Sequence, residues 1–169
     1  MAVQRVLLLG DPALRRPSRP AADAGTAALS SLAGDLADTL AALRQRHGFG
    51  RGLAAPQIGV PLRVVFINVD GPLALLDPVV AGGDGEILLW DDCFSLPGLI
   101  MRLTRQRRVT VRYRRLDGDE AELGAEGGLA ELLQHEIDHL DGVLAIDRVA
   151  SARDVWLREE WLRQGRPNP

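Results

Sequence analysis

Leu29, Leu32, Leu36, Leu40 and Leu43 recur at three- and four-residue steps, so the spacing predicts an amphipathic helix over Thr26 to Arg46 with one core-facing stripe. Before it, Asp11 to Ala24 is rich in proline and arginine and reads as an extended surface stretch. After it, the three glycines of His47-Gly48-Phe49-Gly50-Arg51-Gly52 open backbone conformations closed to other residues. Strand-like runs follow at Leu62 to Val69, Leu73 to Val80, Glu86 to Leu96 and Arg107 to Leu116. In the last run Val109, Val111 and Tyr113 alternate with Arg108, Thr110, Arg112 and Arg114, the period of a half-buried strand. Asp117-Gly118-Asp119 predicts a hairpin turn into a strand over Glu120 to Gly124. A second helix is predicted from Gly128 to Leu140, closed by Gly142. A third is predicted from Ser151 to Arg163, opened by the capping-box pair Ser151 and Asp154. Strands grouped between helices, not alternating with them, argue for an α+β fold.

Composition narrows the class without choosing a function. A chain of 169 residues with no internal repeat or linker is read as one domain, residues 1–169. A net charge of -3 gives no global drive toward nucleic acid or an anionic membrane. The single cysteine excludes an internal disulfide and suits a reducing compartment. The apolar run Val6 to Leu9 is too short for a signal peptide, and no segment approaches the ~20 apolar residues of a membrane span. A cytoplasmic enzyme is therefore the expectation.

The chemistry concentrates in Gln134-His135-Glu136-Ile137-Asp138-His139, which holds two of the three histidines. Four residues apart on a helix, His135 and His139 share a face and can reach one metal ion, while Glu136 can handle the proton of a metal-activated water. Leu132 falls on the same face, as a pocket wall or as plain core. A catalytic site needs a third protein ligand and an open position. Cys93, the only thiol, and Glu159, on the following helix, are the two candidates; a zinc peptidase would use Glu159.

Two further segments bear on that choice. Gly50-Arg51-Gly52-Leu53-Ala54-Ala55-Pro56-Gln57 is rich in small residues and ends in a lone amide, and Asp91-Asp92-Cys93-Phe94-Ser95 surrounds the thiol. With the histidine segment, in this order, they resemble the peptide deformylase family, whose motifs read G-x-G-x-A-A-x-Q, E-G-C-x-S and Q-H-E-x-D-H. The first and third are complete here; the second keeps only its Cys and Ser. Asp11 to Arg15 and Gly142 to Arg148 extend the resemblance over nearly the whole chain.

The resemblance implies mixed or antiparallel sheets packed around a central metal-binding helix, with an N-terminal and a C-terminal helix. It also implies that Cys93, His135 and His139 hold one divalent metal, Fe(II) or alternatively Zn(II), Ni(II) or Co(II). Glu136 would act as acid–base, and the Gln57 side chain and Phe94 backbone N–H would stabilise the oxyanion. Gly50, Arg51, Gly52, Leu53, Asp92 and Leu132 would line the substrate groove. Asp138 would orient a neighbour without binding metal. The implied reaction is removal of the N-formyl group from N-formylmethionyl nascent peptides, with release of formate. The enzyme would be monomeric, with a transient ribosome contact and neither membrane nor specific nucleic-acid partner.

The chain departs from the family pattern at four positions. Asp91 stands in place of glutamate and is expected to pair with Arg105. Asp92 replaces a glycine, Arg51 a small aliphatic residue, and Ile100 a frequent arginine. A salt bridge between Arg51 and Asp92 across the groove is one expectation. A specialised paralogue, acting on another N-formyl compound or conferring resistance to a deformylase inhibitor, is the companion reading. The arginine cluster at 102, 105, 107, 108, 112, 114 and 115 has only Tyr113 for stacking, so it reads as a solvated strand face and not as an RNA contact.

Overall fold

The computed structural model describes residues 2–166. Helix α1 spans Thr26–His47 and ends where Gly48 adopts φ +76° and its N–H caps the Arg44 carbonyl at 2.9 Å. Strands β1 (Gly52–Ala54), β2 (Val64–Asn68), β3 (Pro72–Asp91), β4 (Leu99–Arg114) and β5 (Glu120–Glu126) follow in sequence. Helix α2 (Gly128–Leu140), strand β6 (Val155–Leu157) and helix α3 (Arg158–Arg163) complete the described elements. The strands form one antiparallel sheet in the order β1-β2-β3-β4-β5, with β6 paired to the start of β4.

Alternation explains how this sheet is clamped between two helices. Val64, Phe66, Leu53 and Leu76 point to one side and pack on Leu29, Leu32, Leu36 and Leu40 of α1. Val65, Ile67, Ala54 and Leu75 point to the other and pack on Leu132, Leu133, Ile137 and Leu140 of α2. The unbroken apolar run of β2 is thus a strand buried on both faces. A third cluster joins Cys93, Leu96, Met101 and Leu103 to Leu14 and Leu144.

Four sequence expectations are corrected. The runs predicted at Leu73 to Val80 and Glu86 to Leu96 belong to one strand, β3, which bends through two register shifts around Val79 to Gly82 and ends at Asp91. At Gly83, between the two runs, a Cβ would lie 2.6 Å from the Arg108 carbonyl oxygen, so glycine there lets the paired strands continue. Strand β4 begins at Leu99, eight residues before the predicted start, because Met101, Leu103 and Arg105 keep the inward phase of Val109, Val111 and Tyr113. The stretch Asp11 to Ala24 is not wholly a surface segment: it forms two 3-10 turns that bury Leu14 and Ala21. The third predicted helix is instead a 3-10 turn, β6 and a short α3. Ser151 caps Arg153 N–H at 3.2 Å, and Asp154 accepts from Arg102 at 2.7 and 2.9 Å.

Leu133 is 1% exposed at the centre of the α2–sheet contact. Leu133→Ala is expected to cost about 2–5 kcal/mol, read as a lowered midpoint in urea unfolding at unchanged slope.

Candidate metal and catalytic site

Helix α2 carries its apolar stripe and its reactive groups on adjoining faces, which buries both. His135, Glu136, Asp138 and His139 are all buried, as are Cys93 and Gln57. The site has contributions from four places in the chain: α2, the loop after β3 that bears Cys93, the turn after β1 that bears Gln57, and the β3 and β4 residues behind them. Cys93 Sγ lies 3.3 Å from His139 Nε2, which lies 3.2 Å from His135 Nε2, and the three ligand atoms fall within 4.8 Å of one another. Tetrahedral coordination at ordinary metal–N and metal–S distances separates ligand atoms by roughly 3.3–3.6 Å, so this donor set fits one divalent ion.

Behind the histidines lies a chain of buried charges. Arg105, 5% exposed, donates to Asp91 at 2.8 and 3.1 Å and to Asp138 at 2.9 Å. Arg148 closes the far end on Asp138 at 2.6 and 3.1 Å. At the near end Asp91 Oδ1 sits 2.8 Å from His135 Nδ1, a close contact between carboxylate and imidazole. Burial opposes ionisation of Asp91, yet His135 and Arg105 outweigh it and hold the carboxyl down at about 2. Burial likewise opposes a charged His135, and Asp91 and Cys93 reverse it, so that imidazole is held well above its ordinary value in the metal-free protein. His139, buried and facing His135, is pushed well below it. The two rings are thus driven in opposite directions, and a metal at His135 competes with a proton for the same imidazole.

Gln57 is oriented by its own backbone neighbour. Its Oε1 accepts from Ala54 N–H at 2.9 Å, which turns the NH₂ group toward Cys93 Sγ at 3.6 Å and Ser95 Oγ at 3.2 Å. Glu136 Oε2 is buried with no hydrogen-bond partner, and burial, with Glu131 and Asp91 nearby, pushes its carboxyl up to about 7. A cavity of about 440 Å³ opens onto these groups, lined by Gly50, Arg51, Gly52, Phe94, Leu132 and Asp92 among others.

The expected Arg51–Asp92 bridge is absent. Arg51 reaches instead to α2, donating to Glu131 at 2.5 Å and to the Gly128 carbonyl at 2.8 Å, while Asp92 pairs with Arg158. The physical reason is the strand order: β6 docks on β4 and brings α3 alongside the end of β3, so Arg158 takes Asp92 first. Leu53 is fully buried against α1 and its side chain is not part of the cavity wall. Glu159 is exposed on α3 and outside the donor cluster, which leaves the peptidase alternative without its third ligand. Leu132 packs in the core and also lines the cavity. In the arginine cluster, Arg102, Arg105, Arg108 and Arg114 are all paired to aspartates. Sequence reading missed Glu131, although its four-residue spacing from His135 was visible. It also missed Phe49, Trp161 and Arg158, which only tertiary packing brings to the rim.

A family description, polypeptide deformylase, matches residues 3–155. Peptide deformylase 1 of Prochlorococcus marinus (strain MIT 9313) is 42% identical over 166 residues, covering 90% of this chain and 83% of that protein. The peptide deformylase of Bartonella tribocorum is 37% identical over 169 residues, covering 94% and 92%. Among solved structures, the peptide deformylase of Legionella pneumophila superposes with a TM-score of 0.82 at 32% identity, covering 99% of this chain and all of that one. That of Thermus thermophilus gives 0.81 at 34%, covering 97% and 93%. The chain belongs to the polypeptide deformylase family, a family of metal-dependent hydrolases.

Asp91→Asn, which leaves Arg105 short of a buried counter-charge, is expected to cost about 3–5 kcal/mol in chemical denaturation. Glu136 predicts a pH dependence in metal-free protein. Its folded pKa of about 7 exceeds the ordinary 4.5, so the folded state holds the proton more tightly, and stability falls as pH rises from about 4.5 through 7. Glu136→Gln should flatten that decline, seen by comparing denaturation midpoints of the two metal-free proteins at pH 5 and pH 8.

Proposed function

We propose that this protein hydrolyses the N-formyl group of N-formylmethionyl peptides and releases formate, working as a single catalytic domain. The observation that carries the reading is the buried convergence of Cys93, His135 and His139 beside an unpartnered Glu136 carboxylate and an inward-turned Gln57 amide.

Cys93, His135 and His139 would hold the ion. Fe(II) suits the mixed thiolate–imidazole set, and Zn(II), Ni(II) and Co(II) are also accepted by it. When bound, the ion supplies Lewis acidity, lowering the pKa of water in the site so that hydroxide forms near neutral pH. Asp91 holds the His135 ring in place through the Arg105–Asp138 chain, which keeps the ligand set pre-organised. Glu136, buried beside the donor set with a free carboxyl oxygen, takes the proton of the attacking water and delivers it to the departing amine nitrogen. As the formyl carbon becomes tetrahedral, its oxygen gains charge. The Gln57 Nε2–H donates to it, and the Phe94 backbone N–H is the second donor. Gln57 stays in this orientation because its oxygen is already committed to Ala54 N–H.

The peptide is held as an added strand. Strand β1 ends the sheet, so the edge away from β2 presents backbone groups of Gly50 to Leu53 to an extended chain. Leu132 supplies apolar contact on the cavity wall. No described helix is long and apolar enough to cross a membrane. The reading carries with it a cytoplasmic, monomeric enzyme that meets the nascent chain transiently at the ribosome.

Formate release from a formyl-methionyl peptide, measured with protein reconstituted anaerobically with Fe(II), tests the reading. Wild type is expected to turn over, and Glu136→Ala to bind metal without turnover. Gln57→Ala is expected to retain metal and lose about 10²–10³ in kcat. Metal-loaded wild type without turnover would refute the proposal, and a Gln57→Ala variant as fast as wild type would remove that residue from it.

A further inference from the structure

Resting on the reading that Glu136 protonates the departing amine, we infer that the Arg51–Glu131 ion pair is the wall met by the substrate's first side chain. It gives the site a preference for N-formyl peptides whose first side chain ends in a hydrogen-bond donor.

The placement follows from helix geometry. Glu131 precedes His135 by four residues and Leu132 precedes Glu136 by four, so both lie just over one turn, about 6 Å, toward the start of α2. Helical side chains lean that way, and the Glu131 carboxylate lies within 4.8 Å of a His135 ring nitrogen. Both residues line the same cavity as Glu136 and His135. Strand β1 crosses directly above them: a Cβ on Gly52 would lie 2.9 Å from Glu136 Oε1 and 3.0 Å from Leu132 Cδ1. Arg51, just before that strand, reaches to Glu131 at 2.5 Å and to the Gly128 carbonyl at 2.8 Å.

A substrate nitrogen held at Glu136 starts its first side chain two bonds away, at Cβ. A straight side chain of three or four heavy atoms then spans one helical turn. Its stem lies along Leu132, and its tip arrives at Glu131 and Arg51.

The chemistry at the tip decides the preference. The Glu131 side chain is 10% exposed and that of Arg51 45%, so the pair keeps access to water. An apolar tip displaces that water and returns no hydrogen bond to the ion pair, a desolvation cost without compensation. An amide or ammonium tip donates to the Glu131 carboxylate in place of the water. The stem contact with Leu132 is common to both, so the difference between the two substrates resides at Arg51 and Glu131.

The test uses the full chain, loaded with Fe(II), and three formyl peptides that differ only in the first residue: glutamine, methionine and norleucine. In wild type, kcat/KM for the glutaminyl peptide is expected to exceed that for the norleucyl peptide by about tenfold or more. In the double variant R51V/E131L the order is expected to reverse. A wild-type norleucyl peptide equal to or better than the glutaminyl one overturns the inference, as does a double variant with the wild-type ratio. The wild-type ratio requires no variant, so the inference remains refutable even where the double substitution fails to fold. Hydrolysis of the methionyl and norleucyl peptides with the glutaminyl one poorest sinks this inference alone. Hydrolysis of none of the three, with metal bound, sinks the deformylase reading as well.

Discussion

Arg105 is the fixed point around which the site is assembled. It projects from β4 into the interior and ties Asp91 at the end of β3 to Asp138 on α2. A guanidinium so far from water is tolerable only because two carboxylates share it, each in hydrogen-bonding distance. That requirement fixes the distance between α2 and the β3–β4 pair. It also places the Asp91 carboxylate against His135, at the point where the loop carrying Cys93 departs from β3. The same charge chain thus governs helix position and the disposition of two of the three donor atoms.

A second constraint comes from the double burial of β1 and β2. With α1 on one face and α2 on the other, these strands can vary little, and the turn after β1 enters the site at a set depth. There Gln57 commits its oxygen to Ala54 N–H and presents its amide nitrogen inward. The outer edge of β1 is left at the margin of the sheet, beside the cavity. Scaffold and groove are therefore two sides of one strand.

Two ion pairs and a stacked aromatic pair shape the groove rim. Arg158 lies over the Phe49 ring at 3.9 Å while pairing with Asp92, and Phe49 stacks on Phe94 at 5.3 Å. Asp92 and Arg51 occupy neighbouring positions on the rim but belong to separate ion pairs, one toward α3 and one toward α2. Asp92 thus binds the C-terminal segment to the loop of Cys93, whereas Arg51 bears on the cavity itself.

By itself the sequence determined whatever depends on residues close together along the chain. The stripe of α1, the span of α2, the alternation of β4 beyond Arg107, the placement of His135, Glu136 and His139 on one helix, and the resemblance of three short motifs to a known family were all legible there. Even the Asp91–Arg105 pair could be expected, through that resemblance. Tertiary structure decided the rest, because the deciding partners lie far apart in sequence. The continuity of β3 through its glycines depends on pairing with β4. The inward turn of Arg105 breaks no local rule except polarity, and only Asp91 and Asp138 make it tolerable. The helix expected from Ser151 gives way because Asp154 is claimed by Arg102 and the next residues pair with β4. For Arg51 the sequence suggested Asp92; the packing of α2 beneath β1 put Glu131 within its reach instead, and the docking of β6 gave Asp92 to Arg158.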